Sequence, residues 1–280
     1  PHVAPREMRT LYIEPFRMAF QEAGALGVMS SYNDYDGEPI TGSYHFLTEI
    51  LRQEWGFKGY VVSDSEAVEF ISSKHKVANT YEDGIAQAVN AGLNIRTHFT
   101  PPADFILPLR KAVADGKISQ ETLDKRVAEI LRVKFWLGLF DNPYRGNGKQ
   151  AEQIVHSKEH QAVSLEAARQ SLVLLKNEMN LLPLSKSLRS IAVIGPNADR
   201  IPFGGGSGEV TPIEGCSTTL FSGLCAVAGR EHVDTIRFGA DGSFDEKAVS
   251  RASAVVVSVG FTKETEGEGF DRTFSLPEGQ

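Results

Sequence analysis

Short apolar runs alternate with helical segments over residues 1–140, and this pattern limits the chain to few folds. Three runs, at residues 27–33, 60–64 and 93–97, begin apolar and end in polar side chains. Parallel strands are buried on both faces and read as such runs, and active sites lie at their carboxyl ends. The alternation therefore predicts an α/β fold whose parallel sheet carries a site at one edge.

Apolar spacing of three and four residues predicts the helices between these strands. The predicted helices cover residues 6–22, 46–55, 81–91 and 103–115, and a further helix follows Ser119. Pro15 is expected to bend the first helix, and Ser119 is expected to cap the last. In the last helix the apolar residues with the spacing of a core-facing surface are Leu123, Val127, Ile130, Leu131 and Phe135.

The alternation stops between residues 141 and 160, where Pro, Gly and mixed charges predict a linker. Beyond it, a helix over residues 162–175 and apolar runs at 191–195 and 254–259 predict a second α/β segment. The predicted division is residues 1–140, a linker over residues 141–160, and residues 161–280.

Composition excludes several classes of protein. The chain has 29 Lys and Arg against 36 Asp and Glu, a formal net charge of −7, and shows no basic cluster. We therefore expect no nucleic-acid partner and no binding to an anionic membrane. The longest apolar runs, such as residues 254–259, are too short to span a bilayer. Two cysteines, Cys216 and Cys225, rule out a disulfide scaffold.

Three short motifs do not meet the requirements of a phosphate or metal site. The glycine-rich segment 204–208 lacks the lysine of a phosphate-binding loop. Residues 34–37 resemble part of a calcium loop, but Ser43 stands where the bidentate Glu is needed. His156 and His160 are four residues apart without a third ligand nearby, so no metal site is predicted.

Two acidic features remain as candidates for chemistry. Asp64 ends an apolar strand, where a carboxylate costs desolvation energy unless it has a role. Residues 264–268 hold three glutamates, and crowding raises the pKa of at least one of them if they are held close together. Neighbouring glycines let this segment reach into a cleft, although a solvated acidic loop is the alternative.

Seven stretches of the chain match, in order, those of one enzyme family. They are residues 28–33 (VMSSYN), 47–64 (ending EWGFKGYVVSD), 138–144 (GLFDNPY), 173–184 (VLLKNE and LLPL), 191–198 (IAVIGPNA), 204–208 (GGGSG) and 268–272 (EGFDR). The chain resembles the family 3 glycoside hydrolases, the β-glucosidase and β-xylosidase group. Each stretch is weak alone, but seven in order make coincidence very improbable.

The resemblance implies a TIM-like (β/α) barrel followed by an α/β sandwich. Residues 1–140 would be the C-terminal part of the barrel and residues 161–280 the first part of the sandwich. It also implies a retaining, exo-acting hydrolase that releases terminal β-linked glucose by double displacement. Asp64 would be the nucleophile and Glu268 the acid/base, because Glu268 matches the family's Glu-Gly-aromatic-Asp-Arg pattern; Glu266 and then Glu264 are the alternatives.

The resemblance also implies sugar contacts. Met29 and Tyr32 match substrate-binding positions, and the Tyr32 hydroxyl would hydrogen-bond the nucleophile. Ser207 would be a further contact from the glycine-rich segment. Ser65 lies where many members carry a Trp that lines the leaving-group side, so an aromatic platform is missing and the subsite preference stays open. The family's sugar-clamping residues of the early barrel have no counterpart in this chain.

The expected partner is an oligosaccharide or β-glucoside substrate, and the chemistry requires no cofactor. A homo-oligomer stays open, and the resemblance favours a secreted or periplasmic location. A β-xylosidase or another β-glycosidase of the family is one alternative, with a β-N-acetylglucosaminidase disfavoured, and a non-catalytic glycan-binding relative is another. The 280 residues expressed alone are expected to be insoluble or inactive, because an eight-stranded barrel needs about 250 residues.

Overall fold

The computed structural model describes residues 3–144, 146–201, 206, 210–213, 215–239, 241–268 and 272–280. Within this part of the chain, the residues form two compact units, one ending at Gln161 and the other beginning at Ala162. Each unit has its own hydrophobic core. The predicted second segment begins at residue 161, one residue before Ala162, and the predicted linker 141–160 falls within the first unit; the domain limits stay a prediction.

The first unit is built around two parallel strands, β1 (Gly27–Met29) and β4 (Tyr60–Val62). A short hairpin of β2 (Asp34–Tyr35) and β3 (Glu38–Pro39) follows β1. The strand predicted at residues 93–97 is reduced to one parallel bridge between Val62 and Ile95. The physical reason is that the side-chain Oδ1 of Asn94 accepts from the Val61 amide at 2.8 Å, so it takes the place of a backbone partner there.

The first unit contains the five predicted helices in order, together with two short helices, Ala67–Ser73 and Gly148–Ile154, that were not predicted. They are α1 (Glu14–Gln21), the π-type helix α2 (His45–Glu54), α3 (Ala67–Ser73), α4 (Tyr81–Ala91), α5 (Ala103–Ala114), α6 (Gln120–Trp136) and α7 (Gly148–Ile154). Before α1, a turn at Pro5–Glu7 and a π-helix at Met8–Tyr12 complete the predicted first helix, and the break falls next to Pro15. Ser119 caps α6 as predicted, because its side chain accepts from the Thr122 amide. Helix α7 lies within the predicted linker.

The buried face of α6 differs from the predicted one. Val127, Leu131 and Phe135 are 44%, 38% and 65% exposed, whereas Arg126 and Glu129 are buried. The prediction was wrong for these three residues because α6 meets a polar network, whereas Leu123 and Ile130, the other two predicted residues, are half-buried. The members of the network are Arg52 of α2, Asn94, and Arg126 and Glu129 of α6.

This polar network fastens α2 and α6 to the segment beside β4. The Asn94 Oδ1 accepts from Arg52 at 2.8 Å, and its Nδ2 donates to Glu129 at 2.7 Å and to the Arg126 carbonyl at 2.9 Å. Burial lowers the pKa of Arg52 to about 10, and Glu129, 3.1 Å away, partly offsets that effect. Buried charges are tolerated when they are paired and hydrogen-bonded in this way.

The second unit contains a three-stranded parallel sheet in the order β6-β5-β7. Its strands are β5 (Ile191–Ile194), β6 (Val233–Ile236) and β7 (Ala254–Val257), and β6 was not predicted from the sequence. The accompanying helices are α8 (Lys158–Ser171), which crosses the boundary between the units, α9 (Leu220–Ala228) and α10 (Glu246–Ser250). All four residues of β5 are buried, so the core lies around this central strand.

Candidate active site

The first acidic centre lies at the carboxyl ends of β1 and β4. Met29 pairs with Val62 in register, and the Ser30 amide donates to the Val62 carbonyl at 2.8 Å. On the other side of β4, the Ser63 amide donates to the Ile95 carbonyl, and the Ser63 hydroxyl accepts from the Thr97 amide at 2.9 Å. These bonds bring the polar ends of three neighbouring segments to one edge, as the apolar runs predicted.

Asp64 stands at this edge, directly after Ser63, and is half-buried. Its Oδ1 accepts from the Ser65 amide at 2.7 Å, and its carbonyl accepts from the Ala67 amide at 3.2 Å. The first bond fixes the direction of the carboxylate, and the second begins the turn into α3. A carboxylate held in this position by backbone is suited to meet a ligand at the end of the strand.

Glu66 follows with a left-handed backbone, at φ 66°. A residue with a side chain is strained in that conformation, by roughly 1 kcal/mol or more. Its carboxylate lies 3.7 Å from Nε2 of His98, a mostly buried side chain whose Nδ1 accepts from the Thr100 amide. The Thr100 bond leaves Nε2 as the protonated nitrogen of the neutral ring, pointing to Glu66.

A second group of charges supports the same edge. Arg96 donates from Nε and Nη2 to Oε1 of Glu69, and the Tyr81 hydroxyl donates to the same oxygen at 2.8 Å. Burial, together with the hydrogen bond to Glu69, raises the pKa of Tyr81. This network ties α3 and α4 to the segment beside β4. Sequence reasoning did not identify these residues, although Arg96 lies at the polar end of the third predicted strand.

The predicted sugar contacts are placed at or near this edge. Met29 is the last residue of β1 and is 59% exposed, and Ser65 is half-buried beside Asp64. Tyr32 packs its ring on Phe70 of α3 at 5.4 Å, and its carbonyl lies 2.9 Å from Nε2 of His75. The predicted bond from the Tyr32 hydroxyl to Asp64 stays a prediction.

The second acidic centre is the segment that follows β7 in the other unit. Here Arg272 donates to Oε1 of Glu266 at 3.2 Å and stacks its guanidinium on the Phe261 ring at 4.2 Å. A hydrogen bond from the Thr262 side chain lowers the pKa of Glu264, so Glu264 is not the glutamate whose pKa the crowding argument expected to rise. Glu266 is therefore engaged within its own loop, and Glu264 is stabilised in the ionised form.

Glu268 is exposed and lies against the glycine-rich segment. Gly206 approaches it so closely that an added Cβ would be 2.5 Å from the Glu268 Cβ and 3.0 Å from its Oε2. Gly206 also has φ 90°, a conformation that favours glycine. Gly206 thus has a steric role beside Glu268. Ser207, the predicted contact in this segment, and residues 269–271 lie outside the described residues.

The described residues contain neither a cluster of metal ligands nor a membrane-spanning helix. No group of three or more His, Cys, Asp and Glu side chains is arranged to hold a metal ion among them. The 34–37 segment is a hairpin turn in which the Gly37 amide donates to the Asp34 carboxylate at 3.2 Å. No helix in the described ranges is both long and apolar enough to cross a bilayer.

The fold and this edge define an α/β protein with an acidic residue at the carboxyl end of a parallel strand. Two sequence profiles match the chain: "Glycosyl hydrolase family 3 N terminal domain" at residues 2–133 and "Glycosyl hydrolase family 3 C-terminal domain" at residues 172–280. The chain therefore belongs to glycoside hydrolase family 3. The resemblance drawn from the seven stretches is confirmed.

The similar curated proteins include a β-xylosidase and a β-glucosidase. "Probable beta-D-xylosidase 6" of Arabidopsis thaliana is 33% identical over 98% of this chain, and "Periplasmic beta-glucosidase" of Salmonella typhimurium is 34% identical over 78% of it. The alignments cover 35% and 28% of those proteins. The chain thus spans about a third of the length of the curated relatives that it matches.

Solved structures support the fold. A beta-glucosidase from Listeria innocua, in complex with glucose, superposes with a TM-score of 0.83 at 31% identity. The match covers 99% of this chain and 38% of the other. The predicted fold class is confirmed: an α/β chain similar to part of the barrel-type N-terminal domain and part of the C-terminal domain of these enzymes.

Proposed function

We propose that the protein is a retaining, exo-acting glycoside hydrolase that releases terminal β-linked glucose from oligosaccharides or β-glucosides. The observation that carries the proposal is Asp64, a carboxylate oriented by the Ser65 amide at the carboxyl end of β4, in a chain of family 3. A nucleophile must be held at a fixed distance from the anomeric carbon, and a strand end with bonded neighbours on both sides provides such a position.

The first step forms a covalent intermediate. An Asp64 oxygen attacks the anomeric carbon as the bond from that carbon to the leaving oxygen breaks. The Glu268 carboxylic acid gives its proton to the leaving oxygen, so an alcohol departs and Glu268 becomes a carboxylate. The second step reverses these roles. Glu268 takes a proton from a water molecule whose oxygen attacks the anomeric carbon and displaces Asp64, and the anomeric configuration is retained.

Contacts within the acidic loop support Glu268 over the other two glutamates. Glu266 accepts a hydrogen bond from Arg272, and the bond from Thr262 lowers the pKa of Glu264, which opposes its use as an acid. Glu268 is exposed and lies against the backbone of Gly206, where an added Cβ would collide with its side chain. A general acid must present its proton to the substrate, which suits an accessible glutamate at a close-packed position.

The nucleophile is tested by Asp64→Ala in the full-length protein, assayed with aryl β-glucosides. We expect kcat/KM to fall by at least about 10³-fold, because no other group can form the intermediate. Asp124→Ala, which removes an exposed carboxylate from α6, is the matched control and should leave activity unchanged. Undiminished turnover by the Asp64 variant would exclude it as the nucleophile.

The acid/base is tested by azide rescue. Glu268→Ala should hydrolyse a dinitrophenyl β-glucoside, whose leaving group needs no proton, and added azide should raise its turnover by attacking the glycosyl-enzyme without base assistance. Glu266→Ala is the matched comparison in the same loop and should show no azide rescue. Rescue of Glu266→Ala instead would transfer the role to that residue.

A β-xylosidase is the second candidate, and the similarity to the β-D-xylosidase of Arabidopsis thaliana favours it. Glucose and xylose differ by one hydroxymethyl group, a difference worth about 10- to 200-fold in kcat/KM when a pocket discriminates on size. A panel of aryl β-glucoside, β-xyloside, α-arabinoside and β-N-acetylglucosaminide separates the candidates. Binding of glucose without turnover of any substrate would indicate a non-catalytic relative.

A further inference from the structure

The loop that bears the three glutamates, residues 260–268 and called the acidic loop here, begins at a glycine. Gly260 lies three residues after β7 and has φ 144°, a conformation that favours glycine. Glycine loses more conformational freedom on folding than any other residue, so a loop that starts there needs additional contacts to hold one position. Glu266 and Glu268 lie six and eight residues further along, so their positions depend on how Gly260 is held.

One amide side chain holds both backbone groups of Gly260. The Oε1 of Gln280 accepts from the Gly260 amide at 2.8 Å, and its Nε2 donates to the Gly260 carbonyl at 2.9 Å. Gln280 thereby makes the pair of bonds that a neighbouring strand would make beyond the end of β7. The two residues are 20 positions apart, so this contact also closes the loop at its base.

A second amide holds the next residue. Asn197, which follows β5 and is buried, donates from Nδ2 to the Phe261 carbonyl at 3.2 Å. The Phe261 ring in turn stacks with the Arg272 guanidinium, which donates a hydrogen bond to Glu266. A chain of contacts therefore runs from the segment after the central strand of the sheet, through Asn197 and Phe261, into the glutamate-bearing loop.

The turn within the loop continues this ordering. The Thr262 amide donates to the Thr265 hydroxyl at 2.9 Å, and the amides of Thr265 and Glu266 both donate to the Thr262 carbonyl. The residues from Gly260 to Glu266 are thus held by consecutive hydrogen bonds. The bonds of Gln280 and Asn197 connect this ordered turn to chain outside it, in addition to the contacts of Arg272.

We propose that Gln280 and Asn197 are positioning residues for the general acid/base, with Gln280 fixing the base of the loop through Gly260. The inference rests on the proposed function, in which Glu268 protonates the leaving oxygen. Proton transfer requires heavy atoms within about 2.6–3.2 Å, and a displacement of 1 Å costs up to about 10²-fold in rate. Loss of the bonds from Gln280 to Gly260 should therefore weaken protonation of the leaving group by Glu268 while leaving nucleophilic attack by Asp64 intact.

The test uses the leaving-group dependence of kcat/KM, which reports the first step. Gln280→Ala in the full-length protein is assayed with a dinitrophenyl β-glucoside, which needs no acid, and with an unactivated phenyl β-glucoside, which does. We expect kcat/KM to fall about 10- to 100-fold for the phenyl substrate and less than about 2-fold for the dinitrophenyl substrate. Asn197→Ala should give the same pattern with a smaller loss, since it removes one bond.

Two further variants sharpen the result. Gln280→Glu keeps the acceptor for the Gly260 amide but loses the donor to its carbonyl. Its kcat/KM for the phenyl substrate should therefore lie between that of Gln280→Ala and that of the unaltered protein. Gln170→Ala removes an exposed glutamine of α8 that bonds Glu166, and it should change neither substrate. If Gln280→Ala does not fold, Gln280→Glu and Asn197→Ala carry the same comparison.

Equal losses with both substrates would overturn the proposal, because they would show that Gln280 supports folding in general. No loss with either substrate would overturn it as well. Glu268→Ala separates this failure from that of the proposed function. If kcat/KM of Glu268→Ala does not depend on the leaving group, the acid/base assignment is wrong. If kcat/KM depends on the leaving group in Glu268→Ala but not in Gln280→Ala, the acid/base assignment holds and only the positioning role of Gln280 is refuted.

Discussion

At the scale of single residues, Asn94 makes the largest number of connections around β4. Its Oδ1 accepts from the Val61 amide and from Arg52, and its Nδ2 donates to Glu129 and to the Arg126 carbonyl. All four hydrogen-bonding positions of one amide are therefore used. Because this amide fixes β4 on one side, the position of Asp64, two residues beyond the strand, depends on Asn94.

We expect Asn94→Ala to lower the free energy of unfolding by about 2–4 kcal/mol, because it leaves several buried groups unpaired at once. Asn90→Ala is the matched control: Asn90 is exposed and makes one bond, to the Lys117 carbonyl, and its loss should cost about 1 kcal/mol or less. Urea denaturation of the full-length protein measures both. Equal costs would show that the network does not stabilise the region.

At the scale of elements, Gly59 allows β4 to pair with the segment before β1. The Tyr60 amide donates to the Leu26 carbonyl at 3.1 Å, and a Cβ on Gly59 would collide with that carbonyl oxygen. Gly56 differs, because it has φ 69° but open space around the position of a Cβ.

We predict that Gly56→Ala costs about 1 kcal/mol, the strain of a left-handed alanine. Gly59→Ala should cost about 3 kcal/mol, because the backbone of β1 or β4 must shift. It should also lower activity in the full-length protein, since Asp64 ends the shifted strand. Urea midpoints and kcat/KM measure the two effects, and similar values for both variants would contradict the steric explanation.

The glycine-rich segment offers a second comparison at this scale. Gly206 and Gly215 have similar positive φ, 90° and 74°, but only the Cβ of an alanine at 206 would meet Glu268. We expect both alanine variants to lose about 1 kcal/mol of stability to strain. Only Gly206→Ala should also lower kcat/KM for phenyl β-glucosides, by about 10-fold or more, because it displaces the proposed acid. A loss of activity in Gly215→Ala of the same size would contradict this.

At the scale of the whole molecule, the sequence predicted elements better than their packing. Apolar runs predicted β1, β4, β5 and β7 because a buried strand needs them, and the cap at Ser119 depends only on neighbouring residues. Strand β6 was missed because its four residues have two exposed polar side chains between two apolar ones, and so form no apolar run. The buried side of α6 was predicted wrongly because tertiary hydrogen bonds to Asn94 outweighed the apolar spacing.

In the candidate site, too, local features were predicted from the sequence and tertiary contacts were not. The position of Asp64 followed from the polar end of an apolar strand, and the resemblance supplied its proposed role. The pairs Glu66–His98 and Arg96–Glu69 join residues 32 and 27 positions apart in the chain, so no local pattern indicates them. Gln280 and Gly260 likewise meet only because the loop between them closes.

Exposed apolar side chains lead to a final prediction. On α6, Leu131 and Phe135 face solvent, and the segment after α8 exposes Leu172 and Leu175. Leu131 and Phe135 are four residues apart on α6 and so share one side of the helix, and neighbouring exposed apolar side chains favour association with another surface. We therefore expect the 280 residues expressed alone to bind a hydrophobic dye and to self-associate, as light scattering and size-exclusion chromatography would measure. Leu131→Lys with Phe135→Glu should reduce both signals, whereas Lys125→Glu, an exposed charge change on the same helix, should not. A monomeric, cooperatively melting and active 280-residue chain would contradict the expectation.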